Sequence, residues 1–212
     1  MRIRLGSALV ALGLAAGGLA AAGLAAGQAR QDDAQAARSK GSPTARVTMF
    51  EISDFQCPFC ADFALQTMPI LEREYVATGR VRLVFVNFPL QMHRNAEPAA
   101  ELAMCAGRQG KFWQLHDLLF RNQRRWAGLA EPGDYFLQLG DSAGADRDSL
   151  VACLRAGTVR NLVRADAEGA VRSGARSTPT FYIEGGLMVG AAPVEVFRAV
   201  LDSIIRARSG TR

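Results

Sequence analysis

Charged residues are scarce in this sequence. Asp, Glu, Lys and Arg make up 21% of its 212 residues, and the 25 basic residues exceed the 20 acidic ones by only five. So small an excess gives no reason to expect a nucleic-acid partner. The single basic cluster, Arg121, Arg124 and Arg125, is more typical of a solvated helix end than of a binding patch. Hydrophobic residues reach 49%, which excludes a disordered chain and suffices for the core of one sizeable domain.

Histidine and cysteine, the usual ligands of zinc, are also few: the chain has two histidines and four cysteines. Cys57 and Cys60 form the only close pair, whereas zinc ribbons repeat such a pair. The sequence therefore favours a redox pair over half of a zinc site. Neither His93 nor His116 has a nucleophile beside it in sequence, which favours structural roles for both over general-base catalysis. We expect no metal and no organic cofactor.

The first residues have the order that is typical of an export signal. Two arginines precede an uncharged stretch of Leu, Ala and Gly, residues 5–27, and small residues follow it. We predict a cleaved signal peptide over residues 1–29. A retained membrane anchor is the alternative, because residues 5–27 are numerous enough to cross a bilayer. The polar residues 30–44 are then a linker. Export would bring four cysteines into an oxidising compartment, where their even number suggests two disulfides.

The close pair lies in Cys57-Pro58-Phe59-Cys60, where an apolar run gives way to a helical pattern. We expect Cys57 at the N-cap of the helix. Unpaired backbone N–H groups and the positive end of the helix dipole favour a thiolate there and lower the pKa of the thiol from about 8.5. Pro58 suits the first helical position, where its missing N–H has no intrahelical acceptor. Cys60, one turn further on, is then the resolving thiol.

Apolar patterns on either side of this motif predict a parallel pair of strands. Val47 to Ser53 is strand-like with apolar residues on both faces, as expected of a central strand, and Val81 to Phe88 is apolar at nearly every position. A helix from Pro58 to Ala77, kinked or split near Met68 by Pro69, joins them. A strand, a helix and a strand in this order imply a right-handed crossover.

Only helical patterns follow, from Asn95, a candidate helix cap, to about Gly174. We interpret them as a helical insertion at about residues 92–175. Cys105 and Cys153 lie in different helices of this block. In an exported protein, a structural disulfide between them is favoured over two free thiols.

The α/β pattern resumes after the insertion. Two short strands across Gly185-Gly186 predict a hairpin, and a last helix is predicted from Pro193 to Arg206. The domain therefore covers residues 45–207, and residues 208–212 are a tail.

Glu51 is an acid in a strand where apolar residues are expected. Two explanations remain open. It lies at the edge of the sheet, or it is a buried proton acceptor near Cys60 whose pKa is raised by desolvation.

Four features together resemble the DsbA-like branch of the thioredoxin superfamily: Glu51, the Cys57-Pro58-Phe59-Cys60 motif, the helical insertion and Thr178-Pro179-Thr180-Phe181. The resemblance implies an α/β, thioredoxin-like fold with a helical insertion, and it covers about Val47 to Ile205. Further patches that resemble bacterial members are Asp54-Phe55-Gln56, Asn87-Phe88-Pro89-Leu90 and Gln109-Gly110-Lys111-Phe112-Trp113.

The resemblance also implies roles for individual residues. Cys57 is the expected nucleophile and Cys60 its resolving partner, while Glu51 matches the buried acid that exchanges a proton with the resolving cysteine. Pro179 is the expected cis-proline that faces the disulfide. Thr178 before it is expected to hydrogen-bond an extended substrate through its backbone.

Two further implications concern the insertion and the motif. Cys105 and Cys153 resemble a second, non-catalytic disulfide found in some members. Phe59 is a departure, because the best-known oxidases of the family have histidine at this position. Histidine can stabilise the thiolate, and hence the reduced form, in a way that an aromatic hydrocarbon cannot. We therefore expect a less extreme oxidant, in which Phe59 offers apolar surface to the substrate.

The expected function is that of an exported thiol–disulfide oxidoreductase that introduces disulfides into secreted or periplasmic proteins through Cys57 and Cys60. By resemblance, its substrates are unfolded or partly folded exported proteins, and a quinone-linked membrane protein restores its disulfide. We expect it in the periplasm, with anchoring to the inner membrane through residues 5–27 as the alternative. The competing functions are a reductase or isomerase of the same fold, and a redox-inactive binding or holdase module whose close cysteine pair is a structural disulfide.

Overall fold

A five-stranded sheet organises the part of the protein that the computed structural model describes, residues 32–209. Its strand order is β1-β3-β2-β4-β5. β2 and β3 are parallel, with Val47 opposite Val81 and Ser53 opposite Asn87, whereas the other three pairings are antiparallel. The strands are β1 (Ser39–Lys40), β2 (Val47–Ser53), β3 (Val81–Asn87), β4 (Thr180–Ile183) and β5 (Gly186–Val189).

The central position belongs to β2, which pairs with β3 on one side and with β4 on the other. Five of its seven residues are buried, because apolar side chains on both faces are covered. The prediction of a central, covered strand is confirmed. The motif begins at Cys57, four positions after Ser53, the last residue of this strand.

The helix that follows the motif, residues 58–76, is continuous but not uniform. It consists of α1 (Pro58–Asp62), a π-helical segment (Phe63–Thr67), α2 (Met68–Leu71) and a second π-helical segment (Glu72–Val76). Pro69 has no N–H to donate to the carbonyl of the residue four positions before it. The break predicted near Met68 thus takes the form of a change from π geometry (Phe63–Thr67) to α geometry (Met68–Leu71), in which the pattern of hydrogen bonds shifts without the helix ending.

Between β3 and β4 the described chain forms helices joined by loops, with no strand. The largest hydrophobic cluster joins these helices to Phe55, Cys60 and the beginning of the motif helix. A second cluster joins the sheet to the middle of the motif helix and to the last helix, α9 (Val194–Ser209). The helices between the strands are α3 (Ala96–Gly107), α4 (Phe112–Arg121), α5 (Gln123–Trp126), α6 (Gly133–Ser142), α7 (Arg147–Ala156) and α8 (Thr158–Arg172).

The folded part begins before residue 45. Residues 34–37 are helical, and β1 pairs with β3 inside the stretch 30–44, which composition assigns to a linker. Arg38 between them is buried, forms an ion pair with Asp166 and donates from Nη1 to the Phe85 carbonyl oxygen at 3.1 Å. Polar composition alone does not show that Arg38 and the residues of β1 have hydrogen-bond partners inside the domain. Because they have them, this stretch is folded against the domain.

The predicted tail and the predicted signal or anchor lie at the two ends of the chain. α9 continues through Ser209, so the stretch 208–212 begins within a helix. The signal or anchor predicted over residues 1–29 lies outside the described residues. Within residues 32–209, no helix combines the length and the apolar composition that crossing a membrane requires.

Candidate active site

Cys57 and Cys60 lie at the start of α1, at the carboxyl end of the central strand. Cys57 is the N-cap, with extended backbone angles of φ −72° and ψ 123°, and its carbonyl oxygen accepts the N–H of Ala61 at 3.2 Å. Both cysteines are free thiols in this structure. Cys57 is 4% exposed and Cys60 is fully buried, so Cys57 is the more accessible of the two, though only narrowly.

The environment separates the acidities of the two thiols. The pKa of Cys57 is lowered to about 6, chiefly by its interaction with the Cys60 thiol, and further by Thr178 and by the backbone N–H groups of Cys60 and Phe59, while burial opposes the shift. Burial is the main reason why the pKa of Cys60 is raised well above its usual value, and the adjacent Cys57 adds to it. The pair therefore carries its first negative charge on Cys57, the sulfur at the helix N-terminus.

We expect the reduced protein to show a thiolate transition with a midpoint near pH 6. Below this pH, Cys57 is protonated and loses nucleophilicity; above it, the thiolate is present. The ultraviolet absorbance of the thiolate and the rate of alkylation by iodoacetamide, both followed against pH, measure the midpoint. The Cys57→Ser variant should lack the transition. A midpoint near the free-thiol value of about 8.5 would contradict the environment described here.

The Thr178–Pro179 peptide bond is cis and lies against the motif. The Cys57 thiol donates to the Thr178 carbonyl oxygen, with a sulfur–oxygen distance of 3.4 Å. The Pro179 carbonyl oxygen accepts the N–H of Gly190 at 2.8 Å, which ties this segment to the end of β5. The structure thus brings Thr178 and Pro179 to Cys57, from which they are more than 120 positions away in sequence.

Glu51 lies inside the sheet and not at its edge, because β2 is paired on both sides. The explanation of an edge acid is therefore wrong. The side chain is fully buried, and neither carboxyl oxygen has a hydrogen-bond partner among the described residues. Desolvation raises the pKa of Glu51 to about 8, although Ser53 and Lys40 act in the opposite direction. At neutral pH this carboxyl group is therefore mostly protonated.

Gln123, which the sequence does not single out, holds the backbone of the motif. Its buried amide Nε2 donates to the carbonyl oxygens of Phe55 at 2.7 Å and of Cys57 at 2.9 Å. Gln123 begins the short helix α5 and is followed by Arg124 and Arg125, which are both exposed. In sequence it is one polar residue of a solvated helix end, and no local signal distinguishes it.

A second set of polar contacts fixes the loop before Cys57. The Asp54 carboxylate accepts the N–H groups of Gln56 at 2.7 Å and of Leu90 at 2.8 Å, and it contacts Nδ1 of His93 at 2.8 Å. Asn95 occupies the N-cap position of α3, as expected, but its side chain makes no capping hydrogen bond and instead donates to carbonyl oxygens of residues 126, 127 and 129. Both Asn95 and His93 therefore serve the packing of the insertion against the motif loop.

His116 is also structural. It is fully buried among aromatic rings, with Phe120 at 4.9 Å and Phe85 at 5.4 Å between ring centroids. Burial lowers its pKa, and its Nδ1 contacts Asp117 at 2.9 Å. An uncharged imidazole at this place belongs to the core.

Cys105 and Cys153 are joined by a disulfide that links α3 to α7 across 48 positions of sequence. No cluster of His, Cys, Asp or Glu within residues 32–209 is arranged to hold a metal ion. Phe59 is 62% exposed beside Cys57, and Met92, which sequence analysis did not single out, is 81% exposed next to the His93 that contacts Asp54.

Comparison with known proteins places this geometry in a family. A family model described as thioredoxin matches residues 33–203. The chain belongs to the thioredoxin family. BdbD from Bacillus subtilis, in its oxidised crystal structure, superposes with a TM-score of 0.72 at 22% identity, over 80% of this chain and 92% of that one. The predicted DsbA-like thioredoxin fold with a helical insertion is confirmed.

Two curated relatives differ in length. The probable disulfide bond formation protein D of Bacillus cereus is 26% identical over 154 residues, which are 71% of this chain and 71% of that protein. The Na(+)/H(+) antiporter NhaA 1 of Salinispora arenicola is 35% identical over 176 residues, which are 82% of this chain. The chain spans about a quarter of the length of that antiporter, since the match covers 25% of it.

Proposed function

We propose that this protein is an exported thiol–disulfide oxidoreductase that introduces disulfides into secreted or periplasmic proteins. The observation that carries the proposal is the placement of Cys57 at a helix N-terminus, in contact with the carbonyl oxygen that precedes a cis-proline. A thiol at a helix N-terminus has a lowered pKa. The backbone of Thr178 and Pro179 beside it can hydrogen-bond the backbone of an extended peptide. The similarity to a probable disulfide bond formation protein supports the same function.

The proposed reaction begins with the disulfide between Cys57 and Cys60. A substrate thiolate attacks the Cys57 sulfur, the bond to Cys60 breaks, and a mixed disulfide joins substrate and protein. A second substrate thiolate then attacks the substrate sulfur of this mixed disulfide. The substrate leaves with a disulfide, and two electrons remain on Cys57 and Cys60 as thiolate and thiol. A membrane protein linked to quinone is the proposed acceptor of these electrons.

Glu51 is the proposed proton source for Cys60. When Cys60 leaves as a thiolate it is fully buried, and an uncompensated buried charge is costly. A carboxyl group with a pKa of about 8 holds a proton at neutral pH and can release it to such a group. Re-oxidation of the pair reverses the transfer.

Substrate binding is proposed at the edge of the motif. Thr178 and Pro179 offer backbone groups beside Cys57. Phe59 within the motif and Met92, next to the His93 that contacts Asp54, offer exposed apolar side chains. Unfolded proteins present both extended backbone and apolar side chains, so this combination fits them better than a folded partner of fixed shape.

The acidity of Cys57 favours an oxidase over a reductase or isomerase. Stabilising the thiolate stabilises the reduced pair, and this makes the disulfide more oxidising. The lowered pKa arises without a histidine in the motif, because Cys60, Thr178 and the amides of the helix N-terminus supply the interactions.

The reduction potential of the Cys57–Cys60 pair tests the direction of the reaction. It is measured on protein lacking residues 1–31, equilibrated in glutathione buffers of graded ratio. We expect a value on the oxidising side of protein disulfide isomerase, which lies near −180 mV, and less extreme than about −120 mV. A value near −270 mV, typical of reducing thioredoxins, would contradict the oxidase and favour the reductase. The same protein should also form disulfides in a reduced, unfolded client.

A further inference from the structure

The backbone just before the motif helix is held by a side chain of the helical insertion. The buried Gln123 amide donates from Nε2 to the carbonyl oxygens of Phe55 at 2.7 Å and of Cys57 at 2.9 Å. In the opposite direction, Nε2 of Gln56 donates to the Ala127 carbonyl oxygen at 3.0 Å. Hydrogen bonds to the segment that contains α5 therefore hold residues 55–57, the last of which carries the proposed reactive sulfur.

Gln123 is itself fixed by the insertion. It is 7% exposed at the first position of α5, whose last residue, Trp126, is fully buried and donates from Nε1 to the Leu119 carbonyl oxygen at 2.8 Å. The Asn95 side chain donates to the carbonyl oxygens of Trp126 and Ala127, both at 3.2 Å. A buried amide on a helix that is anchored in this way has little freedom to reorient. The insertion therefore determines where Nε2 points.

One of the two carbonyl oxygens that Gln123 binds belongs to the N-cap residue of the motif helix. Cys57 has φ −72° and ψ 123°, and its carbonyl oxygen accepts the Ala61 N–H at 3.2 Å as well as the Gln123 amide. Because the peptide group is planar, two hydrogen bonds to its oxygen restrict ψ of Cys57. In this conformation the Cys57 sulfur lies 3.4 Å from the Thr178 carbonyl oxygen. Hydrogen bonds of this kind weaken steeply when distance or angle is lost.

We propose that Gln123 is a positioning residue that holds Cys57 in its N-cap geometry and thereby makes the Cys57 thiol more acidic and the Cys57–Cys60 disulfide more oxidising. The hydrogen bonds of Gln123 go to backbone oxygen atoms, so it acts through the conformation of Cys57. The inference rests on the proposed function in taking Cys57 as the reactive sulfur. It adds that the helical insertion, besides the motif and the cis-proline, sets the chemistry of the pair.

The Gln123→Met variant removes both hydrogen bonds and keeps an unbranched, flexible side chain of similar length. With the Cys57 backbone less restricted, we expect the midpoint of the thiolate transition to rise from near pH 6 to about pH 7. A less stable thiolate destabilises the reduced pair. At neutral pH the equilibrium constant with glutathione should therefore change about fivefold to tenfold towards a less oxidising disulfide, which corresponds to roughly 20–30 mV. The absorbance, alkylation and glutathione measurements described above supply both values.

Two further variants show whether the effect belongs to this amide. Gln109→Met is the matched control, because Gln109 lies in the same insertion and also binds a distant backbone. Its Nε2 donates to the Asp146 carbonyl oxygen at 3.2 Å, and its Oε1 accepts the Asp146 N–H at 2.7 Å. This variant should keep the wild-type midpoint and potential. Gln123→Asn keeps the amide on a side chain one methylene shorter, so it should retain at most one of the two bonds and give intermediate values.

Thermal unfolding of each variant establishes that it is folded. A folded Gln123→Met protein with the midpoint and the potential of the wild type overturns the proposal and leaves Gln123 a structural residue. Equal changes in Gln109→Met also overturn it, because the effect would then not be specific to the amide that binds the motif.

A measurement on the wild-type protein decides the matter if the Gln123 variants do not fold. In nuclear magnetic resonance spectra, the side-chain amide signals of Gln123 should move with the thiolate transition of Cys57, while those of Gln109 stay in place. Gln123 signals that do not move contradict the proposal. None of these measurements needs a client. If the wild type fails to oxidise a reduced client, the proposed function falls, and the midpoint and the potential still decide the role of Gln123.

Discussion

Replacing Cys60 by serine is expected to trap this protein in covalent adducts with its clients and to lower its turnover at least about a thousandfold. The variant loses the Cys60 thiol, the largest cause of the lowered pKa of Cys57, but Cys57 keeps Thr178 and the amides of the helix N-terminus beside it. Part of Cys57 is therefore still thiolate at neutral pH and reacts as one. Its thiolate attacks a client disulfide and forms a mixed disulfide. Normally the Cys60 sulfur attacks Cys57 and releases the client, but a serine hydroxyl cannot perform this step.

The measurement is electrophoresis without reductant after expression of Cys60→Ser, with the adducts identified by mass spectrometry. Cys57→Ser is the matched control: it keeps one cysteine of the pair, but that cysteine is fully buried and its pKa is raised, so few or no adducts should form. Turnover in both variants should be lost. A Cys60→Ser protein that forms no client adducts would support the redox-inactive holdase, in which the pair is merely a structural disulfide.

The sequence predicts the elements whose apolar pattern matches their burial. β2, β3 and the hairpin of β4 and β5 were placed within one or two residues, because runs of covered apolar side chains leave a strong periodic signal. β1 and α5 were missed. Each has four residues or fewer, which is too short for a periodic pattern: β1 is the two-residue partner of β3, and α5 is a single turn whose Trp126 is fully buried.

In the active site, too, some residues are predictable from sequence and others are not. The geometry of Cys57, Cys60 and Pro179 is carried by short motifs, and the interior position of Glu51 is a consequence of a strand with two covered faces. Gln123 carries no such sign, because the two carbonyl oxygens that its amide binds are 66 and 68 positions away in sequence. The low pKa of Cys57 was expected from the helix N-terminus, but its largest cause is the neighbouring thiol, whose orientation the sequence does not specify.

Removal of the second disulfide, by Cys105→Ala together with Cys153→Ala, is expected to lower the free energy of unfolding by about 2–5 kcal/mol. The bridge spans 48 positions, and a loop of this length restricts the unfolded chain by about 4 kcal/mol in the chain-entropy description. Alanine is chosen because Cys105 is buried and a serine hydroxyl would add a desolvation cost. Both cysteines are replaced, since a single free thiol would exchange with Cys57.

Urea unfolding of the oxidised wild type and of the double variant measures the loss of free energy of unfolding. The slope of each transition is fitted separately, because it scales with the surface exposed on unfolding. The exchange reaction supplies the control. Cys57 and Cys60 belong to α1 and its N-cap, whereas Cys105 and Cys153 join α3 to α7, so the folded double variant should keep the reduction potential of the wild type. If the unfolding midpoints coincide, the bridge does not stabilise the insertion. If the reduction potential of the Cys57–Cys60 pair shifts while the free energy of unfolding falls, loss of the bridge affects the motif as well as the insertion. The contact of Gln123 with the Cys57 carbonyl oxygen is one route for that effect.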